Sequence, residues 1–176
     1  MSLVEITEVT HNIILDMRYA TDNNFTNHVI YDSSRCFLRP EALVLLEKAI
    51  SLAEDQGYRL KIFDAYRPHY AQERLWEICP NPDYVANPVS GSNHTRGIAV
   101  DLTLIDKEGQ ELDMGTPFDS FDTSSHHGSQ EISTHAAKNR YLLLGIMMSA
   151  GWDLYVNEWW HYQMFKPREF DLIKDR

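Results

Sequence analysis

The chain has 176 residues, 43% of them hydrophobic, and its formal net charge is −10. A chain of this length buries roughly 70% of its unfolded surface, so we expect one domain over residues 1–176 with a full hydrophobic core. The acidic balance argues against nucleic acid and an anionic membrane as partners, because proteins that bind nucleic acid carry basic patches and acidic surfaces repel anionic lipids.

The cysteines and the N-terminal residues bear on the cellular compartment. Cys36 and Cys79 stand at a spacing that matches neither a metal motif nor a disulfide framework, so we expect free thiols. The first residues lack the basic and apolar regions of a signal peptide, and no stretch approaches the roughly 20 apolar residues of a membrane helix. We therefore expect a cytoplasmic protein with no membrane partner.

The first half of the chain shows few but clear elements. Residues 1–38 are mixed, with a polar, turn-prone stretch at 21–24. Pro40 then suits the first turn of a helix, whose apolar residues recur at helical spacing until Gly57, a typical C-terminal cap. The next three segments are a strand over 59–64, a helix over 70–78 and a loop over 81–93.

Residues 97–104 alternate and predict a strand. Its apolar face holds Ile98, Val100, Leu102 and Leu104. Asp101 therefore points to the opposite face. The polar segment 106–132 follows, and a connection of that length inside a compact domain is usually functional.

A last helix and strand complete the pattern. Ser133 caps the helix and Gly151 ends it. Its predicted apolar face holds Ala136, Ala137, Tyr141, Leu144 and Met148. The final strand is expected over 159–165. Because no repeating βαβ pattern appears, we predict an α+β fold with a mainly antiparallel central sheet flanked by helices.

Two short segments carry candidate metal ligands. His94 lies in the loop before the strand that holds Asp101, and His161 lies in the last strand. Two imidazoles and one carboxylate suit Zn²⁺ and leave a fourth position for water. Gly97 allows the turn that would bring His94 back toward Asp101. Spacing alone leaves a zinc site and ordinary structural histidines as open alternatives.

Glu158 is the spare carboxylate beside this group. Residues three apart on a regular strand face opposite ways, so Glu158 and His161 share a site only if the chain bends. Asn157 suits a turn. We therefore predict that the strand begins after Glu158, with the carboxylate near the metal but not bound to it.

The motif Ser-x-His-x-x-Gly-x-Ala-x-Asp at 92–101, followed by Glu-x-x-His at 158–161, resembles the signature of the D-alanyl-D-alanine metallopeptidases. More closely, the chain resembles the dipeptidases of the vancomycin-resistance type. Further matching blocks follow in order at 16–21, 24–25, 63–68, 113–119, 125–128 and 157–162. One departure is Asn27, which stands where the family commonly has Gly; Asn tolerates positive φ, so the turn can persist.

The resemblance implies a fold, a metal and a reaction. His94, Asp101 and His161 would bind one Zn²⁺ per chain, and Glu158 would activate a zinc-bound water. Arg67 would stabilise the oxyanion while D-Ala-D-Ala is hydrolysed to two D-alanines. The alternative for Arg67 is a structural ion pair with Asp64 or another acid.

The recognition of a dipeptide's two charged ends is assigned less directly. Asp119 is the candidate for the substrate ammonium, with a solvated loop acid as its alternative. Ser92 and Tyr19 are candidate donors to the substrate carboxylate, and Ser92 could equally be a turn residue. His126 and His127 are expected in loop or supporting roles, because three better ligands exist. One of Trp159 and Trp160 is expected to line the site.

Two other functions use the same residues. A D,D-carboxypeptidase that trims peptidoglycan stem peptides would have the same zinc site in a more open cleft; the expected cytoplasmic location favours the dipeptidase. A non-catalytic zinc-binding module of the same fold needs neither Glu158 nor Arg67. The sequence carries no signal of oligomeric state, and the activity suits antibiotic resistance and D-alanine recovery equally.

Overall fold

Seven strands and four α-helices occur in residues 2–174, the part of the chain that the computed structural model describes. The strands are β1 (Val4–Ile6), β2 (Ile14–Leu15), β3 (Cys36–Leu38), β4 (Arg59–Asp64), β5 (Ala99–Ile105), β6 (Asp153–Tyr155) and β7 (Glu158–Gln163). The helices are α1 (Glu8–His11), α2 (Pro40–Asp55), α3 (His69–Ile78) and α4 (Thr134–Ala150). Short 3-10 helices lie at Arg18–Ala20, Thr123–Ser125 and Pro167–Glu169. The α+β class is confirmed.

The central sheet is mixed, and the prediction of a mainly antiparallel sheet is wrong. Its strand order is β2-β4-β5-β7-β6, and β2 pairs with β4 in parallel while the other pairs are antiparallel. Parallel neighbours need a long crossover connection, and here the chain between β2 and β4 contains α2. A two-residue strand is too short to show alternation, which is why the pattern of residues 1–38 concealed it. A second, two-stranded antiparallel sheet joins β1 to β3.

Helix α2 forms as its sequence predicts. Pro40 occupies its first turn, and Gly57 just beyond its end has φ +82°, which glycine adopts without strain. One face is buried in the core; it consists of Ala42, Leu46, Ala49, Ile50 and Ala53. This face packs against α4 and β4.

Helix α4 has the predicted ends but buries a different face. The Ser133 hydroxyl accepts the Ala136 N–H at 3.0 Å, and Gly151 ends the helix with φ +107°. The buried residues are Ala136, Arg140, Leu143, Ile146, Met147 and Ala150. Tyr141 and Met148, predicted on the apolar face, are 60% and 40% exposed. The prediction failed because Arg140, a residue type that a sequence pattern assigns to solvent, is buried on the face that meets the core.

Strand β5 is buried on both faces along its whole length. Val100, Leu102 and Leu104 join the main core, as predicted. Asp101 and Thr103, on the opposite face, line two cavities that residues from the 106–132 segment also line. The long segment therefore covers the polar face of the sheet. Within residues 2–174, the helices are all too short or too polar to cross a membrane.

Exchange of Leu46 for Ala tests the assignment of the α2 core face. Leu46 is fully buried, so Leu46→Ala should lower the free energy of unfolding by about 2–5 kcal/mol. Val44 on the same helix is 62% exposed, and Val44→Ala should change it by less than about 0.5 kcal/mol. Urea denaturation measures both, and equal losses would contradict the assignment.

Candidate active site

The buried side chains of His94, Asp101 and His161 converge where β5 pairs with β7. Asp101 and His161 are directly paired across these antiparallel strands, so their side chains stand side by side. His94 reaches them from the loop before β5, where Gly97 closes a turn with φ +70° by donating its N–H to the His94 carbonyl at 2.8 Å. The predicted group of three ligands is therefore assembled in the structure.

The hydrogen bonds of the two imidazoles decide which ring nitrogen faces the centre. His94 Nδ1 lies 2.7 Å from the carbonyl oxygen of Ala65, and His161 Nε2 lies 3.1 Å from Gln163 Oε1. Both partners are acceptors, so this geometry favours the proton of each ring on these nitrogens. His94 Nε2 and His161 Nδ1 are left as lone-pair donors toward Asp101.

This arrangement fits a bound cation. His94 Nε2 is 3.2 Å from His161 Nδ1 and 3.3 Å from Asp101 Oδ2, and His161 Nδ1 is 3.0 Å from Asp101 Oδ1. A tetrahedral zinc ion bound at about 2.0–2.1 Å separates its ligand atoms by roughly 3.3 Å. Burial opposes ionisation of Asp101, but positive charge beside it, carried by the two imidazoles when they are protonated, holds its pKa below the ordinary value. Three electron-pair donors this close are stabilised only when a positive charge lies among them.

The His94 loop is held in place by Ser92 and by more distant residues that the sequence reasoning did not identify. Ser92 accepts the His94 N–H at 3.1 Å, which is the turn role considered for it. Arg39 donates to the carbonyl oxygens of Arg96 at 2.6 Å and Asp171 at 2.7 Å. The Ile173 N–H donates to the Thr95 carbonyl at 3.1 Å. No local motif signals these supports, because they join segments far apart in the chain.

Glu158 is the first residue of β7, so the prediction that the strand begins after it is wrong. A two-residue turn, Val156-Asn157, precedes it. Between the pairs Leu154↔Tyr162 and Tyr155↔Glu158, β6 advances one residue while β7 advances four. This irregularity abolishes the simple alternation along β7, so Glu158 lies on the His161 side, with Oε2 3.9 Å from His161 Nδ1. Burial raises the pKa of Glu158 to about 7, and His161 opposes that rise.

Arg67 is anchored at three of its five N–H groups. Nε and Nη2 donate to Asp64 Oδ2 at 3.1 and 2.7 Å, and Nη1 donates to Gln72 Oε1 at 3.0 Å. Among the described residues, one N–H group on Nη1 and one on Nη2 then remain without an acceptor. Asp64 is fully buried and also accepts from the Tyr31 hydroxyl at 2.6 Å. The considered ion pair with Asp64 therefore exists, and it fixes the guanidinium where a ligand can meet it.

Asp119 and Tyr19 form the next layer of the site. The Tyr19 hydroxyl donates to the Asp119 carboxylate, with oxygen distances of 3.0 and 3.1 Å, and its ring centroid lies 5.0 Å from the Arg67 guanidinium carbon. Asp119 has φ +61°. Burial, and next the charge of Asp101, raise the pKa of Asp119 to about 8. The bond from Tyr19 to a substrate carboxylate stays a prediction, since its proton is directed to Asp119 here.

All these groups border one cavity of about 200 Å³. Its lining includes every predicted site residue: Tyr19, Arg67, Ser92, His94, Asp101, Asp119, Glu158 and His161. Three aromatic side chains, here called the aromatic rim, also line it; they are Phe25, Tyr84 and Phe121. Tyr84 stacks on Phe121 with ring centroids 4.6 Å apart, and Phe25 meets Phe121 edge-on at 5.0 Å. The cavity is therefore lined by carboxylates, imidazoles and the Arg67 guanidinium on one part of its wall and by the aromatic rim on another.

Comparison with known proteins places the chain in a family. Residues 1–171 match the peptidase M15 family model, described as D-Ala-D-Ala dipeptidase. The chain belongs to this family. It is 40% identical over 174 residues to the D-alanyl-D-alanine dipeptidase of Escherichia coli K12, covering 99% of this chain and 90% of that protein. The Enterococcus faecium protein of the same name is 36% identical over 179 residues, covering 88% of this chain and 87% of that protein. The protein is therefore a peptidase.

The loop that carries Asp119 in this M15 peptidase is held by Arg140. The guanidinium donates to the carbonyl oxygens of Met114 at 2.6 Å, Ser124 at 2.8 Å and His126 at 3.2 Å. It is 3% exposed. The loop between β5 and α4 therefore wraps a buried cation, which explains why an arginine faces inward on that helix.

The remaining sequence predictions concern aromatic and imidazole side chains. Trp160 lines the cavity, whereas the Trp159 indole N–H donates to Thr116 Oγ1 at 2.9 Å beside a second, smaller cavity. Within residues 2–174, His126 and His127 do not belong to the metal group. The His127 N–H donates to the Val156 carbonyl at 2.9 Å, and burial lowers the pKa of its ring to about 4. His127 therefore attaches the long loop to the β6–β7 turn.

The raised pKa of Asp119 predicts a pH dependence of stability in the metal-free protein. The ordinary pKa is 3.8 and the folded value about 8, so between these values the unfolded chain has lost a proton that the folded chain keeps. The free energy of unfolding should therefore fall as pH rises from about 4 to 8. Asp119→Asn should flatten this part of the curve. Urea denaturation with a chelator at several pH values measures it, and parallel curves for the two proteins would refute the assignment.

Proposed function

We propose that the protein is a zinc-dependent dipeptidase that hydrolyses D-Ala-D-Ala to two molecules of D-alanine. The observation that carries the proposal is the convergence of the three-ligand group, Glu158 and Arg67 on one small cavity. Membership of the D-Ala-D-Ala dipeptidase family supports the choice of substrate.

His94, Asp101 and His161 would hold the zinc ion. Two neutral imidazoles and one carboxylate are a typical donor set for catalytic zinc. When bound, zinc would polarise the scissile carbonyl and lower the pKa of a water molecule in the site. The hydrogen bonds from His94 to Ala65 and from His161 to Gln163 already orient the ligating nitrogens.

Glu158 is proposed as the general base and then the general acid. Its carboxylate accepts a proton from the attacking water as the water oxygen bonds to the carbonyl carbon. It then gives that proton to the amine nitrogen as the C–N bond breaks. A pKa of about 7 suits both directions of transfer near neutral pH.

Arg67 is proposed to stabilise the carbonyl oxygen as negative charge develops on it. The guanidinium stays charged throughout, and its two remaining N–H groups are available to the oxygen. Because Asp64 and Gln72 hold it in place, little reorganisation is needed when the charge appears.

The substrate's two ends would be recognised by groups on the same cavity. Asp119 is proposed to receive the ammonium, whose positive charge would favour the ionised carboxylate. Ser92 and Tyr19 are proposed as donors to the substrate carboxylate. The cavity that the aromatic rim lines has a volume of about 200 Å³, and this small size favours a dipeptide over the longer stem peptides of a D,D-carboxypeptidase.

Glu158→Gln tests the role of the base. The variant keeps the shape of the side chain but has no carboxylate to accept a proton, so D-alanine release should fall by about 10²–10⁴-fold while one zinc stays bound per chain. Glu108→Gln, on an exposed turn, is the matched control and should keep full activity. Surviving turnover in Glu158→Gln would refute the base role, and loss of zinc would make Glu158 a ligand.

Arg67→Lys tests the stabilisation of the oxyanion. Lysine keeps the positive charge but not the fixed planar fork, so kcat should fall by about 10²–10³-fold. Exposed Arg168→Lys is the control. A normal kcat in Arg67→Lys would show that the arginine serves only as the partner of Asp64.

A substrate comparison separates the proposed reaction from its nearest rival. Purified zinc-loaded protein is incubated with free D-Ala-D-Ala, L-Ala-L-Ala and a muramyl pentapeptide that ends in D-Ala-D-Ala. We expect D-alanine release from the free D,D-dipeptide alone. Activity confined to the pentapeptide would establish a D,D-carboxypeptidase, and no activity on any of the three with zinc bound would refute the proposed reaction.

A further inference from the structure

Gln163 and Asn93 form a hydrogen-bonded pair beside the metal group. Gln163 Oε1 accepts from His161 Nε2 at 3.1 Å and also from the side-chain amide of Asn93. Gln163 follows His161 by two residues on β7, and both residues pair regularly with β5, so their side chains share one face. Asn93 immediately precedes His94. The pair therefore joins the two segments that carry the histidines.

The two histidines differ in how their proton positions are set. His94 donates to a backbone carbonyl, that of Ala65, which has no donor to offer in exchange. His161 donates to a side-chain amide, which has an oxygen at one end and an NH₂ group at the other. If the Gln163 amide turned over, its NH₂ group would face His161 and favour a bare Nε2.

Asp101 competes with Gln163 for the His161 ring proton. Its Oδ1 lies 3.0 Å from His161 Nδ1 and would readily accept a proton placed there. A proton on Nδ1 would remove the lone pair needed by a metal. The carbonyl end of Gln163 draws the proton to the far side of the ring. The Asn93 NH₂ group holds that carbonyl end in place. If the Gln163 amide were reversed, its own NH₂ group would face the Asn93 NH₂ group, and two donors would meet without an acceptor.

We infer that Asn93 and Gln163 are positioning residues that together make His161 an Nδ1 ligand, with Asn93 acting through Gln163. This inference rests on the proposed function only for the presence of a metal. The proton position on the His161 ring is a property of the chain itself. Supporting groups of this kind typically change metal affinity by about 10–100-fold.

The first experiment measures zinc affinity by competition with a chelator. Gln163→Leu should weaken binding by about 10–100-fold, whereas Gln163→Glu, which still accepts from His161, should stay within a few-fold of the original affinity. Asn93→Ala should weaken binding in the original chain but have no further effect in Gln163→Leu. Additive losses would show that Asn93 does not act through Gln163, and unchanged affinity in Gln163→Leu would overturn the inference.

The second experiment reads the proton positions directly. Long-range ¹H–¹⁵N correlation spectra of the metal-free protein are recorded at about pH 9, well above the ordinary histidine pKa of about 6.5. We expect the His161 proton on Nε2 in the original chain and on Nδ1 in Gln163→Leu. His94 serves as the internal control and should keep its proton on Nδ1 in both proteins. The same His161 pattern in both would refute the inference.

These readouts separate the inference from its rivals. If Gln163 instead contacts substrate, Gln163→Leu would raise KM and leave zinc affinity and the His161 spectrum unchanged, which would overturn it. If the original chain binds no zinc but shows the expected spectra, the proposed function fails, whereas the role of Gln163 in setting the position of the His161 proton stands. If Gln163→Leu does not fold, the other two variants decide: the inference expects weaker zinc binding in Asn93→Ala and nearly unchanged binding in Gln163→Glu, and any other result overturns it.

Discussion

The cross-strand pair of Asp101 and His161 sets the position of nearly everything else in the site. Their register on β5 and β7 places a carboxylate and an imidazole side by side on the face that borders the cavity. Burying these groups is unfavourable unless charge and lone pairs find partners. His94 completes a group that a cation would stabilise; the sheet holds Asp101 and His161, and the loop before β5 brings His94 to them. The chain thus builds two of the three proposed ligands into its central sheet.

A second buried carboxylate, Asp64, organises the cavity from the other side. Its oxygens accept from Tyr31, Arg67 and the Ala65 N–H, and Oδ2 lies 3.6 Å from His94 Nδ1. The same short stretch at the end of β4 thus orients the arginine and, through the Ala65 carbonyl, the proposed metal ligand His94. Breaking one partner of such a network leaves a buried charge uncompensated, so its members are expected to tolerate little change.

The sequence predicted which side chains would meet better than it predicted the geometry that brings them together. Spacing alone left His94, Asp101 and His161 open between a zinc site and ordinary structural histidines; the resemblance to a known family singled them out, and strand alternation correctly turned Asp101 away from the core. Alternation failed at Glu158, because an irregular strand pairing cannot be recognised in a single chain. It also failed on α4, where Arg140 is buried by carbonyl oxygens from a distant loop. The short β2 and the supporting role of Gln163 depend on contacts between remote segments, which local patterns do not record.

The irregular pairing of β6 with β7 has a consequence for how this region tolerates change in length. Between the pairs Leu154↔Tyr162 and Tyr155↔Glu158, the stretch that holds both Glu158 and His161 advances four residues along β7 while β6 advances one. The separation of the proposed base from the proposed ligand is therefore encoded within the strand and not in the Val156-Asn157 turn. Loop insertions at the turn can vary the outer shape of the molecule while the reaction geometry stays constant. One residue added or removed between Glu158 and His161 would instead turn the Glu158 side chain out of the cavity. The length of this stretch therefore sets the distance between the two side chains.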